Sequence, residues 1–451
     1  MSFPRYPDYK DSGVEWLGEV PGHWALKKIK HVASFSGGGT PSRDNMVYWN
    51  GDIPWVSPKD MKAEEIKGAE ECISEEGLAA STSNLIPAGT VLMVVRSGIL
   101  KHTIPIAINC LEVALNQDMK ALTFQPDLCL SRFFLRWVQG LNNELLLAWA
   151  KQGATVESLE QVYLANTAIP LPSLSEQSAI TTFLDRETAK IDALVAEQEK
   201  LIELLKEKRQ AVISHAVTKG LDPSVPMKDS GIEWLGKVPA HWGILRLKHI
   251  ASDIKAGPFG SSLTKDSYVI EGYRVYGQEQ VIPGDFSIGN YFITSDKFTE
   301  MTEYEILTGD ILISCVGTFG KIAVVPPNVI PGIINPRLIR LRCLEIINPA
   351  YVTTSLKSSV IFEQFSMNSR GGTMGVINIE ILSDIIVPMP PADEQEQIVA
   401  HLDAQTAKFD ALTAEAQRAI DLLKEHRSAL ISAAVTGKID VRGLVTATEA
   451  A

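Results

Sequence analysis

Few residues in this chain have the types and spacing that enzyme chemistry requires. Gly37-Gly38-Gly39-Thr40 matches half of a phosphate-binding loop, but the Gly-Lys-Ser/Thr ending and a following helical pattern are missing, so a flexible loop is expected. Gly317-Thr318-Phe319-Gly320-Lys321 fails in the same way, because Ile322 stands where a hydroxyl side chain is needed. The sequence Pro-x-His-Trp occurs twice, at Pro21, His23, Trp24 and at Pro239, His241, Trp242. One histidine per copy is no metal site, and a turn packed against helix ends is the expected role. Five cysteines, odd in number and never in a Cys-x-x-Cys pair, suggest reduced thiols in a cytoplasm and no disulfide framework or zinc site. No Asn/Asp-Pro-Pro-Tyr/Phe element, complete nucleotide loop, or convincing Ser/His/Asp or Cys/His set is found. The expectation is a chain that recognises while others catalyse, with no catalytic residue, metal or cofactor of its own.

Recognition chemistry is better represented. Base edges in DNA grooves are read by Arg, Lys, Gln, Asn, Ser and Thr held on loops. In the first half Thr40, Arg43, Lys59, Arg96, Lys101 and His102 cluster around loop signals; in the second, Lys255, Ser261, Ser262, Lys265, Arg274, Lys321, Arg370 and Thr373 hold similar places. For each of these candidate DNA contacts the competing reading is a solvated surface charge. The net charge of −12 argues against a lone nucleic-acid binder, since phosphates reward concentrated Lys and Arg. Partner subunits are then expected to supply much of the positive surface.

The elements that must position these residues are duplicated. Lys10-Asp11-Ser12-Gly13-Val14-Glu15-Trp16-Leu17-Gly18 returns as Lys228-Asp229-Ser230-Gly231-Ile232-Glu233-Trp234-Leu235-Gly236. Thr188-Ala189-Lys190-Ile191-Asp192-Ala193-Leu194 returns as Thr406-Ala407-Lys408-Phe409-Asp410-Ala411-Leu412, and the shift from Thr188 to Thr406 equals that from Lys10 to Lys228. Between them, from about residue 35 to 150 and 253 to 368, the copies share almost no residues. So long a period means whole domains, not a solenoid. With 45% hydrophobic and 21% charged residues, no apolar run long enough for a membrane span and no secretory pattern at Met1 to Asp11, a soluble globular protein is expected.

Each half ends in a helical segment. Ile180, Leu184, Ile191, Val195, Ile202, Leu205 and Val212 recur at spacings of three, four and seven, as do Ile398, Leu402, Phe409, Ala416, Ile420, Leu423 and Leu430. Gly and Pro are absent from Glu176 to Thr218 and from Glu394 to Thr436, so each helix can run about 40 residues, or about 60 Å, a length that favours a coiled coil. Ile191, Leu194, Leu201, Leu205, Phe409, Leu412 and Leu423 are the residues expected to bind partner helices. The inserts read as mixed α/β, with strands at Thr90 to Val95 and Ile311 to Ser314 and helices at Phe133 to Leu147 and Val352 to Phe365.

Taken in order, Trp16-Leu17-Gly18 with Pro21-Gly22-His23-Trp24, Gly51-Asp52-Ile53-Pro54-Trp55-Val56-Ser57-Pro58-Lys59-Asp60-Met61, Leu307-Thr308-Gly309-Asp310-Ile311-Leu312, and Glu176-Gln177 and Glu394-Gln395 behind their prolines carry a resemblance. Over nearly its whole length the chain resembles the specificity subunit of type I restriction-modification enzymes. That resemblance implies an α/β fold with long α-helices: two mixed α/β target recognition domains separated by an antiparallel two-helix coiled coil, in a pseudo-twofold duplication. The divisions expected are 1–172 and 219–390 for the recognition domains, 173–218 and 391–436 for the helices, and 437–451 for a tail. It further implies double-stranded DNA as ligand, each domain reading one half of a bipartite asymmetric site. Two methyltransferase subunits would dock on the helices, and restriction or translocase subunits would join the complex. S-adenosylmethionine, ATP and Mg²⁺ would be bound by those partners and none by this chain. Two competing readings are a lone nuclease or methyltransferase, for which the motifs are missing, and a non-catalytic coiled-coil scaffold without DNA specificity, which leaves the divergent inserts unexplained.

Overall fold

The structure, a computed structural model, describes residues 3–151, 156–259, 262–315, 321–368 and 377–445, with the side chains of 366–368 excepted. Ser261, Arg370 and Thr373, and Gly317 to Gly320 of the second loop motif, lie outside them. Two compact units form, and neither is a contiguous stretch: Met1–Glu199 with Arg418–Ala451, and Lys200–Gln417. The linear division into domains, helices and tail therefore describes chain order, while the compact units change over inside the two long helices.

Those helices are Leu174–Lys219 and Ala392–Val435, unbroken as their composition requires. In the first unit Ile180, Phe183, Leu184 and Ile191 share a core with Leu430, Ile431, Ala434 and Val435, so the two segments run antiparallel. Arg427 Nε lies 2.9 Å from Asp192 Oδ1. In the second unit Ile213, Ala216 and Val217 share a core with Ile398 and Leu402, and Arg209 pairs with Asp410. Each of these two ion pairs is the other displaced by the repeat period, with Asp192 matching Asp410 and Arg209 matching Arg427.

One tertiary lock holds the start of each helix. Tyr6 Oη and Trp24 Nε1 donate to Glu176 Oε1 at 2.6 and 3.0 Å, and His23 Nε2 is 3.0 Å from Oε2. In the other unit His241 Nε2 and Trp242 Nε1 meet Glu394 Oε2 at 2.8 and 3.0 Å. Partial burial, then the bond to Glu176, pushes the Tyr6 phenol above its ordinary range. The following glutamines work on the inserts: Gln177 Oε1 accepts from the Leu130 N–H, and Gln395 Oε1 from the Asn348 N–H, both at 2.8 Å. Pro-x-His-Trp thus packs its turn against the helix starts, with both tryptophans fully buried. In the first unit the segment around Pro4 meets the one after the second long helix, since the Asp440 N–H donates to Pro4 O at 2.8 Å while Ile439 and Val441 are buried in the same core.

Each insert enters and leaves through one two-stranded antiparallel ribbon, Ala25–Lys28 with Ala168–Leu171 and Gly243–Arg246 with Ile386–Met389. Inside the first, a five-stranded sheet runs in the order Ala33–Gly37, Met119–Phe124, Val91–Val94, Ile106–Asn109, Glu65–Ile66, beside a three-stranded sheet Ala114–Leu115, Trp49–Val56, Cys72–Ile73. The second repeats this with four strands, Ala251–Ala256, Leu338–Cys343, Ile311–Ser314, Ile322–Val324, beside Gly332–Ile334, Tyr273–Tyr276, Phe292–Ile293. Helices Ser131–Gly140 and Pro349–Lys357 follow the sheets at equivalent positions. The framework is shared although the residues are not, because burial and alternation constrain side-chain class, not identity.

Candidate DNA-reading loops

The candidate loops sit where the parallel pair of each small sheet ends. After Val56 the Asn116 N–H donates to Val56 O at 2.9 Å, and the Asn116 side chain accepts from the Asp118 N–H at 2.5 Å. The second unit repeats both bonds, Asn335 N–H to Tyr276 O at 2.8 Å and Arg337 N–H to Asn335 Oδ1 at 2.9 Å. The adjoining turn is also shared: the Ser57 N–H is held by Asp60 Oδ2 and the Gly277 N–H by Gln280 Oε1, each at 2.8 Å. On these equal frames stand different side chains. Pro58 and Lys59 of the first unit hold the places of Gln278 and Glu279 in the second, and Gln117 and Asp118 correspond to Pro336 and Arg337.

Gly38 and Gly257 make the frame fit. A Cβ on Gly38 would collide with the carbonyl oxygens of Leu115 and Asn116, and one on Gly257 with that of Asn335. Gly39 is pinned as well, its carbonyl accepting from Trp55 Nε1 at 2.9 Å. The expected flexible Gly37 to Thr40 loop is therefore a close backbone approach, a use of glycine that the phosphate-loop comparison does not test.

The first-unit candidates divide by what already holds them. Lys59, Lys101 and His102 are exposed. Thr40 Oγ1 bonds Gln117, and Arg96 Nε lies 2.6 Å from Asp118 Oδ1, which places both beside the Asn116 turn. Arg43 stacks over Trp49, 3.8 Å from the ring centroid, and forks onto both oxygens of Glu71. That hydrogen bond holds the Glu71 carboxyl below its usual range. The Arg43 fork is thus engaged within the protein, and the residue orders the loop that presents Trp49.

In the second unit Lys265, with Tyr268, Gln278, Glu279, Tyr291 and Arg337, lines a cleft of about 680 Å³. Ser262 and Lys321 are exposed, and Lys255 pairs with Glu303. Arg274 is a correction. It is buried, and Nη1 donates to the carbonyls of Phe286, Ser287 and Ile288 at 2.9, 3.1 and 3.3 Å, so it braces the interior of the small sheet and faces no groove. Gln117, Asp118, Gln278, Glu279 and Arg337 stand at these loops without being sequence candidates. The signal for them is Asn-x-x-apolar at Asn116 and Asn335, hidden because the shift between these two asparagines is one residue longer than the repeat period.

Ile191 lies in the first unit's core with Leu423 packed on it, and Leu205 and Phe409 are buried too, so these four serve the chain's own packing. Leu194, Leu201 and Leu412 are exposed, joined by Leu204 and Leu422. Leu194 and Leu412, and Leu204 and Leu422, are pairs related by the repeat period, so the apolar strip outside the packing is itself duplicated.

Among the described residues no group of three His, Cys, Asp or Glu is placed to hold a metal ion, and no helix is long and apolar enough to cross a membrane. Two copies of one framework, each carrying its own polar loops, make up the chain. The family described as type I restriction modification DNA specificity domain matches residues 21–204 and 241–421, and this chain belongs to it. Over 179 residues the chain is 35% identical to the EcoR124I/EcoR124II specificity subunit of Escherichia coli, covering 40% of this chain and 42% of the relative. A 31% identical match to the MjaIX specificity subunit of Methanocaldococcus jannaschii covers 46% and 45%, so the chain spans under half the length of both relatives. Over 336 residues it is 24% identical to the EcoBI specificity subunit of Escherichia coli, covering 73% and 70%. Two solved structures share the fold. One, from work on assembly and conformational transition of the type I R-M system, has a TM-score of 0.65 at 18% identity, covering 92% of this chain and 98% of that one. The other, the HsdS subunit from Thermoanaerobacter tengcongensis, has a TM-score of 0.53 at 17% identity, covering 93% and 98%.

Proposed function

We propose that this chain selects the DNA on which a cytoplasmic type I restriction-modification complex acts, each unit reading one half of a split, asymmetric site. The observation that carries the reading is the pair of equal loop frames with unequal side chains. A twofold framework lets identical partners attach twice, while different loops let the two half-sites differ. The exposed, duplicated strip at Leu194, Leu204, Leu412 and Leu422 is the surface offered to two methyltransferase subunits, and restriction subunits join through the complex. Methyl transfer, translocation and cleavage, with their S-adenosylmethionine, ATP and Mg²⁺, belong to those partners.

Arg337 is the sharpest single test, because its five donors suit the two acceptors of guanine in the major groove. In the full chain assembled with methyltransferase subunits, Arg337→Ala is expected to cost about 1 to 3 kcal/mol, concentrated at one base position of one half-site. Binding to a panel of single-base variants of the site measures this. A loss spread evenly over all positions would make Arg337 a backbone contact, and no sequence preference in the parent complex would remove the DNA-reading assignment.

A further inference from the structure

The two units differ at one edge of their larger sheets. In the first, Ile106–Asn109 is flanked by the parallel strand Glu65–Ile66. Glu64, just before it, sets its carboxylate 2.7 Å from Arg136 Nη1, 3.0 Å from Gln139 Nε2 and 3.5 Å from Arg427 Nη2. Asp185 takes Arg132 and Arg136, and Asp192 takes Arg427, so these cations are matched by acids. Burial works to raise the Glu64 carboxyl, but the Arg136 charge and the bonds from Gln139 and Arg136 outweigh it and keep Glu64 ionised. Pro105, Gln139 and Arg427 line the cleft beside it, of about 730 Å³.

In the second unit the sheet ends at Ile322–Val324, with no strand in the place of Glu65–Ile66 among the described residues. The positions equivalent to Pro105, Gln139 and Arg427 are Lys321, Lys357 and Arg209. The backbone fixes the first equivalence: Val94 N–H donates to Pro105 O, and Ser314 N–H to Lys321 O, both at 3.0 Å. The other two pairs are related by the repeat period and stand on corresponding helices. Helix Pro349–Lys357 packs on Ile322–Val324, and Ser359 bonds Ser214 of the long helix at 2.9 Å, which brings the three cations to one face. Arg209 is paired with Asp410, whereas the side chains of Lys321 and Lys357 are exposed and hold no hydrogen bond or ion pair among the described residues. Although Lys357 is exposed at the surface, the protein packed around its ammonium, and then the charges of Arg209 and Lys321, lower it from its ordinary range.

This face adjoins the reading loops. Lys321 bonds Ser314, whose Oγ accepts from Gln278 Nε2 at 2.7 Å, and the next residue, Cys315, donates its N–H to Arg337 O at 3.0 Å. In a chain of net charge −12, an under-neutralised group of three cations continuous with such loops fits a polyanion. We propose that Lys321, Lys357 and Arg209 form a phosphodiester-binding patch beside the loops of the second unit, absent from the first, so that the DNA backbone is gripped more strongly at one half-site. This rests on the DNA-reading assignment above.

The test uses Lys357→Gln, which installs the residue of the first unit, and Lys321→Gln, singly and together, in the full chain assembled with methyltransferase subunits. Both side chains are exposed, and unchanged melting confirms that folding is retained. Affinity for a duplex carrying the site is measured between about 50 and 200 mM salt. Each lost phosphate contact lowers the steepness of log K against log salt by about 0.9, so the double variant should lose about tenfold less affinity over that range than the parent, with unchanged base preference. An unchanged slope overturns the proposal. So does weaker assembly with the partner subunits at an unchanged slope, which would give the patch to an acidic protein face. Absence of base preference in the parent complex would sink the reading assignment instead, and the slope difference would still report on the patch.

Discussion

Exchanging residues 25–168 for the corresponding insert of a relative changes one half of the recognised DNA sequence and leaves the other half as it was. The exchange is structurally clean because the insert enters and leaves through one ribbon, Ala25 opposite Leu171 and Lys28 opposite Ala168, so both junctions fall on paired backbone. The helix lock is untouched, since Glu176 and Trp24 lie outside the exchanged segment. Gln177 still finds a backbone N–H at the position of Leu130, because that bond requires no particular side chain. Specific DNA binding exceeds non-specific binding by about 10³- to 10⁷-fold, and with one of the two half-sites still read about half of that free energy is lost, so affinity for the original site should fall by roughly 30- to 3,000-fold. Selection from a randomised duplex library measures it. A change in both half-sites would show that the two units do not read independently.

Lengthening both long helices by four residues, after Glu199 and after Gln417, should widen the gap between half-sites and alter neither of them. These points are where each helix passes from one compact unit to the other. Four residues add about 6 Å, close to one helical turn, so the apolar stripe nearly keeps its phase. The pairs Asp192–Arg427 and Arg209–Asp410 lie on either side of the insertions in each helix, each inside its own unit, and remain intact. At about 3.4 Å per base pair, the preferred gap grows by one or two pairs, with duplex twist limiting which is accepted. Binding to a series of duplexes with gaps varied one pair at a time decides it. Full activity at an unchanged gap would mean that the helices do not set the spacing.

Much of this architecture is readable in the chain because it is periodic. The constant offset between the two copies, the Gly- and Pro-free helices and the strand Ile311–Ser314 all follow from local pattern. Side-chain destination is harder. Arg274 has the residue type of a base reader, but its strand turns it inward onto three carbonyls. Ile191 and Leu194 are both apolar and three apart, yet one is in the core and the other half exposed, a difference of a few tens of degrees around the helix that spacing alone does not settle. Glu176 reads as an ordinary helix-start acid; its partners Tyr6, His23 and Trp24 lie far away in sequence, in the first turns of the chain. The Asn116 and Asn335 turns escape notice because one inserted residue breaks the register that reveals everything else.

That this chain selects the DNA sequence is tested by mapping DNA methylation genome-wide in cells that express the methyltransferase partner with and without this chain. A single split motif should appear only with the chain, its two halves different in sequence and separated by a fixed gap. The same motif in the absence of the chain, or a contiguous motif without a gap, would contradict it.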